Sequence, residues 1–191
     1  DYIDTGKDIE LGLAMFNRCY DLLREGGRIC IVLPETYFFS PSYKYVREWV
    51  KERMKPICVA NVPMDAFQGF CRAKTNLYIF EKLHEDKSNL HEDSDVVTFM
   101  NPQTCGIYKN GCDRFVVDET GKRTDVIDNK LLEQAIEYSQ GEKKNQYDIA
   151  LSTIYKSDVL VPQYFDQSLQ QPFETLKSKY HFEGISIAEL M

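Results

Sequence analysis

Residues 13–39 read LAMFNRCYDLLREGGRICIVLPETYFF, and residues 65–82 read DAFQGFCRAKTNLYIFEK. Within the first stretch the hydrophobic period changes. From Lys7 to Arg24, Ile9, Gly12/Leu13, Phe16, Cys19/Tyr20 and Leu23 recur three or four residues apart, the spacing of one helical face. Thr5, with Asp8 three residues on, suits a cap at the start of that helix, and Gly26-Gly27 suits a left-handed stop at its end. Arg28 to Leu33 then forms a short, nearly continuous apolar run, the pattern of a strand buried on both faces of a parallel sheet.

Working outward, Ser40-Pro41 places a cap and an N1 proline ahead of a second helix over 41–54, with Tyr45/Val46, Trp49/Val50 and Met54 inward. Pro56 ends it, and Ile57 to Val62 reads as another buried strand. A loop from Pro63 to Ala73 leads to a third strand, Lys74 to Leu83, in which Thr75, Leu77 and Ile79 alternate with Asn76 and Tyr78. Helix, strand, helix, strand, loop, strand predicts an α/β fold built on one twisted sheet, with an antiparallel final hairpin as a variation. Gly26-Gly27 is a turn and not a phosphate cradle, because nucleotide loops run from strand to helix and this one runs from helix to strand.

The 191 residues carry 43% hydrophobic and 13% aromatic side chains, enough for a real core. A net charge of −7 excludes the basic footprint of an autonomous duplex-binding domain, so any DNA contact must be local. Residues 84–95, HEDKSNLHEDSD, set Asp and Glu against a single lysine and read as a solvated linker. Beyond it, Val96 to Met100 and the segment from Lys109 to Lys122 predict short strands joined by turns. A helix over 128–139 follows, with Leu131/Leu132 and Ala135/Ile136 as its apolar side, and then a polar break, GEKKNQ. The tail from Tyr147 carries LVPQYFD, a helix near 166–179 and a fresh apolar segment, GISIAELM.

The six cysteines show no CxxC pair and lie mostly in apolar patterns, as expected of reduced thiols in a cytoplasmic protein. Cys105 and Cys112 lack a neighbouring histidine, so no metal site is expected there. The three histidines lie in polar segments without a nucleophile partner, which leaves a hydrolase triad no support. No apolar run approaches the roughly eighteen residues that span a bilayer, and nothing reads as a signal peptide.

LLREGGRICIVLP followed by DAFQGFCRAKTNLYIFEK resembles the helix, Gly-Gly turn, fifth strand, aromatic loop and following strand of adenine-N6 DNA methyltransferases of restriction-modification systems. The resemblance covers residues 9–83 and implies the closing half of a class I, Rossmann-like methyltransferase sheet, followed by a small α+β region. It implies S-adenosylmethionine as cofactor, bound mostly outside this stretch. The family's glycine-bearing cofactor turn and its Asn-Pro-Pro-aromatic tetrapeptide have no counterpart here. Asn101-Pro102-Gln103 is a decoy, with Gln103 in place of the second proline and in the wrong position along the fold. No catalytic, cofactor-binding or metal-binding residue is therefore assigned.

In the family an aromatic side chain of the loop packs on the flipped adenine. Phe67 is the residue to carry over, with Phe70 as substitute; Arg72 and Lys74 flank the loop where a phosphate would pass, and Thr75 opens the strand. SDVLVPQYFD, a helix and GISIAEL resemble the junction into a target-recognition domain of the type I specificity-subunit kind. Three segments follow: 1–83, the catalytic part; 84–146, linker, hairpin and helix; and 147–191, the start of target recognition. Double-stranded DNA and specificity and restriction subunits are the implied partners, and the truncated sheet implies an exposed strand edge and self-association. An RNA or protein methyltransferase and a non-catalytic scaffold of the same fold are the rival readings.

Overall fold

In a computed structural model, residues 10–67, 73–84, 95–142, 146–168 and 175 are described. Five strands form one sheet in the order β1-β3-β2-β4-β7, where β1 is Arg28–Pro34, β2 Met54–Val62, β3 Thr75–Lys82, β4 Val96–Met100 and β7 Gln146–Ala150. β3 lies between β1 and β2 and runs antiparallel to both, whereas β4 is parallel to β2 and β7 is antiparallel to β4. The fold is a mixed α/β sheet, and the antiparallel insertion is the variation that the sequence allowed. Two short strands, β5 (Phe115–Val117) and β6 (Arg123–Ile127), make a separate hairpin.

β1 differs from the doubly buried strand that its apolar run predicts. It is a sheet edge, paired on one side only among the described residues, and its side chains alternate between exposed and half-buried up to Leu33, which is buried. Apolar continuity marks a strand that neighbours cover, but whether those neighbours belong to the described part of the chain is not a property of the strand.

The first helix, α1, spans Leu11–Leu22, and Leu23 is already extended. Gly26, with φ at +68°, sits in the turn beyond and not at the helix stop; its N–H donates to the Lys82 carbonyl at 2.9 Å. The helix stop is served instead by Lys82, whose ammonium donates to the carbonyls of Tyr20 (3.2 Å) and Leu23 (2.9 Å). Thr5 and Asp8 lie outside the described residues. Gly12 is the place where α1 meets the Tyr37 hydroxyl, since a Cβ there would stand 3.0 Å from that oxygen.

Pro41–Tyr43 forms a 3-10 turn that leads into α2, Lys44–Arg53, and Met54 belongs to β2 and not to the helix. Pro56 sits inside β2, at a register shift between Pro56 and Cys58. A residue without an N–H is tolerated in a strand at such a bulge, which is why proline there does not start the strand but interrupts its ladder.

α3 spans Lys130–Ser139 and is capped by Asn129, whose side chain accepts from the Leu132 N–H at 3.0 Å. Its inward face is Leu131, Gln134 and Tyr138, while Leu132, Ala135 and Ile136 are exposed. Of the apolar pairs in the sequence, only Leu131 thus lies on the inward side of this helix. Leu151–Ser157 (α4) and Pro162–Phe165 (α5) follow β7. The helix expected near 166–179 and the GISIAELM segment lie outside the described residues, apart from 166–168 and Thr175.

The main core joins Leu13, Phe16, Trp49, Tyr78, Phe80, Phe99 and Ile154 across α1, α2, β3, β4 and α4. A smaller cluster on the opposite sheet face holds Cys58, Ala60 and Met100, with Leu77, Ile79, Leu131 and Tyr138 against it. The sheet crosses residues 84 and 146, since β4 and β7 belong to it, and Phe165 packs on Phe99 with ring centroids 5.1 Å apart. Among the described residues, no helix is long and apolar enough to cross a membrane.

Candidate functional site

The pairings Pro34 with Thr75, Val62 with Thr75 and Ala60 with Met100 bring the exits of β1, β2 and β4 and the start of β3 to one rim of the sheet. Ligands of open α/β sheets bind outside the carboxyl ends of the strands, so this rim is the candidate site. Glu35 leaves β1 there, and its backbone N–H donates to the Lys74 carbonyl at 3.0 Å.

β2 exits through Pro63 into a 3-10 turn, Met64–Ala66. That turn ends at Phe67, whose N–H donates to the Met64 carbonyl at 3.2 Å and whose side chain is 36% exposed. Part of the ring is thus open to solvent at the rim. Asp65 on the same turn faces Arg114 of the hairpin at 4.0 Å, and Arg114 is held in turn by Asp128 at 2.9 Å.

Lys74 points inward. Its ammonium donates to Asn61 Oδ1 and, at 3.4 Å, to the Val62 carbonyl; Asn61 Nδ2 donates to the Pro102 carbonyl at 2.8 Å. Burial holds the Lys74 ammonium below the usual lysine range, with the Glu35 carboxylate opposing the shift. Burial likewise pushes the Glu35 carboxyl above its ordinary range, against the pull of Lys74 and of a hydrogen bond with Asn76. Thr75 is buried in the ladder between β1 and β2. Phe70 and Arg72 lie outside the described residues.

Three rim residues escaped the sequence reading: Glu35, Asn61 and Asn76. Their signal was available. An acid stands directly after an apolar strand in VLPE, and an asparagine interrupts each of the runs ICVANV and TNLYIF. Polar residues inside strands that should be wholly apolar mark places where the sheet turns chemistry toward a site.

Elsewhere, α2 and residues 154–160 enclose a cleft of about 380 Å³ that shares no lining residue with the rim. Arg47 beside it donates to Asp158 at 2.6 Å and to the Ser40 carbonyl at 2.8 Å. The buried Cys58 thiol, pushed up to about 12 mainly by burial, is no nucleophile near neutral pH.

No protein-family model matches the sequence, and no curated protein matches it. Solved structures do. The M protein of the type I restriction enzyme EcoKI superimposes with a TM-score of 0.51 at 17% identity, over 83% of this chain and 40% of that one. The type I restriction-modification methyltransferase subunit from Streptococcus thermophilus gives 0.51 at 17% identity, over 78% of this chain and 28% of that one. This chain shares their fold. It spans less than half the length of either subunit. The mixed sheet is therefore a fold found in methyltransferase subunits, as the sequence resemblance implied.

Proposed function

We propose that this chain is the closing part of the catalytic domain of a site-specific adenine-N6 DNA methyltransferase of a restriction-modification system. Phe67 carries the proposal: an exposed ring on the turn after β2, at the strand-exit rim, followed by the Lys74-Thr75 entrance to β3. In this reading Phe67 stacks on the adenine taken out of the duplex, with Phe70 as the substitute for that role. Arg72 would meet a phosphate, and Thr75 opens the strand behind the loop. Such enzymes must extrude the base before chemistry, and an aromatic face captures it without regard to its hydrogen-bonding edge.

The methyl donor would be S-adenosylmethionine. The exits of β1, β2 and β4 carry Pro34-Glu35, Val62-Pro63 and Asn101-Pro102 in place of a glycine turn, so these residues do not fit a cofactor cradle, and no step is derived through it. The cofactor and amine-binding groups then belong to the part of the enzyme outside this stretch, and the isolated chain is inactive and binds the cofactor no better than background. The edge of β1, unpaired among the described residues, is where that part would extend the sheet. An isolated chain with such an edge should self-associate, which light scattering would register.

The partners in this reading are double-stranded DNA and the specificity and restriction subunits, in the cytoplasm. In this reading residues 147–191, whose β7 is the last strand of the sheet and whose α4 and α5 follow it, lead into a target-recognition module.

The test is Phe67→Ala in the full-length enzyme with 2-aminopurine at the target position. Loss of one stacking contact should weaken base capture by about 1 to 3 kcal/mol and leave cofactor affinity unchanged. If Phe70→Ala alone abolishes the signal, the stacking position moves by three residues. If neither variant changes it in a folded protein, the stacking role is wrong.

A further inference from the structure

We infer that Lys74 is a positioning residue for the Phe67 turn and not a phosphate contact: its ammonium, held by Asn61 and the Val62 carbonyl beside Glu35, fastens the start of β3 to the end of β2. The inference rests on the proposed stacking role of Phe67.

The geometry leads to this role in three steps. Phe67 leaves the sheet at Val62 and the chain returns to it at Lys74, so the two ends of the excursion are the places at which the turn is held. Those ends are joined by the Val62–Thr75 pairing of the ladder and by the Lys74 side chain, which reaches back across it to Asn61 and Val62. Asn61 is itself 3% exposed, and its amide is committed to the Pro102 carbonyl, so the oxygen that receives the ammonium cannot swing away without breaking a second buried bond.

A lysine serving phosphate keeps its ammonium in solvent on a flexible stem. This one is drawn inward, with two acceptors on it and a carboxyl beside it. The environment is also poor in donors. Glu35 Oε2 and Asn76 Oδ1 are buried without a hydrogen-bond partner. Unmatched acceptors of this kind are costly, and a cation among them lowers that cost. Removing the Lys74 charge would leave Asn61 Oδ1 as a third such oxygen and release the β3 end of the turn. The base-stacking ring would then be presented in many orientations, with the sheet itself intact.

The experiment uses the full-length enzyme, with 2-aminopurine at the target base and DNA affinity measured across a salt series. Lys74→Met and Asn61→Ala each cut the same contact from opposite sides. Each is expected to lower the extruded-base signal by about tenfold, the scale of one charge-assisted hydrogen bond, with the salt slope of DNA affinity unchanged. A phosphate contact gives a different pattern: Lys74→Met flattens the salt slope by about one charge and Asn61→Ala does nothing, which overturns the inference. An unchanged signal in both variants also overturns it.

Should Lys74→Met not fold, Asn61→Ala alone supplies the test, because a lysine serving phosphate does not depend on Asn61. An extruded-base signal equal to wild type in that variant counts against the inference. Phe67→Ala in parallel separates the two ideas. If it lowers the signal while the Lys74 and Asn61 variants do not, positioning fails alone; if it changes nothing, the stacking reading on which positioning rests has failed.

Discussion

The two faces of the sheet are built unlike each other, although the same strands supply both. On β3, Tyr78 and Phe80 enter the aromatic core with Phe16, Phe38 and Trp49, while the alternate residues Leu77 and Ile79 belong to the smaller cluster of Cys58, Ala60, Met100 and part of α3. Ring centroids on the first face lie 4.2 Å apart for Phe38 and Tyr78 and 5.7 Å for Phe16 and Phe80. On the second face, Val32 of β1, paired with Leu77, is 39% exposed, and Cys30, paired with Ile79, is exposed as well. Strand alternation makes both faces apolar, but only neighbours make a face a core. Folding stability should therefore reside mainly on the α1 and α2 side, and the α3 side should be the part that yields first.

The sharpest way to break this comparison is to truncate one residue on each face of β3. Phe80→Ala, at a fully buried position, should cost about 3 to 5 kcal/mol, measured by urea denaturation of this chain. Ile79→Ala next to it is half-buried and should cost less, within about 0.5 to 2 kcal/mol. Equal losses would mean that the second face is as well covered as the first.

A smaller effect sharpens the point at α3. Asn129→Ala removes the side-chain acceptor of the Leu132 N–H and should cost about 1 kcal/mol. Hydrogen exchange should show the loss confined to α3 and the hairpin, with β1 and β3 amides unaffected; protection lost throughout the sheet would show that the two faces are not separable.

The smallest effect belongs to the strong face. Glu10 at the start of α1 accepts from the Tyr43 and Tyr37 hydroxyls, and these bonds, Tyr43 first, hold its carboxyl below the usual glutamate range. A depressed folded-state value means that the contribution is present above the unfolded value and lost as pH falls through the folded one. Tyr43→Phe should therefore reduce stability at neutral pH slightly and flatten its fall between about pH 5 and 3. Parallel curves for the two proteins across that window would exclude the linkage.

How much of the molecule was legible follows the range of the interactions involved. The rim was legible only in part: Phe67, Lys74 and Thr75 stood out through the loop that carries them, whereas Glu35, Asn61 and Asn76 looked like interruptions of apolar runs. Their meaning depends on Pro34, Val62 and Thr75 meeting across three strands, and no local pattern encodes that meeting. Lys74 is the instructive case. Its charge and its place beside a loop suit a phosphate contact equally well until the fold shows two acceptors on the inner side.

What the sequence determined by itself were the elements whose causes lie within a dozen residues: α1 and α2 from 3.6-residue spacing, the three strands from apolar runs set off by Gly26-Gly27 and Pro63, and the loop that carries Phe67. What only the tertiary structure decided were the relations between distant segments. The antiparallel place of β3 between β1 and β2, the edge position of β1, the inward face of α3 and the joining of β4 and β7 to the same sheet are of that kind. Local periodicity is set by backbone geometry and side-chain alternation, but burial and pairing are settled by which surfaces meet, and those surfaces come from residues far apart in the chain.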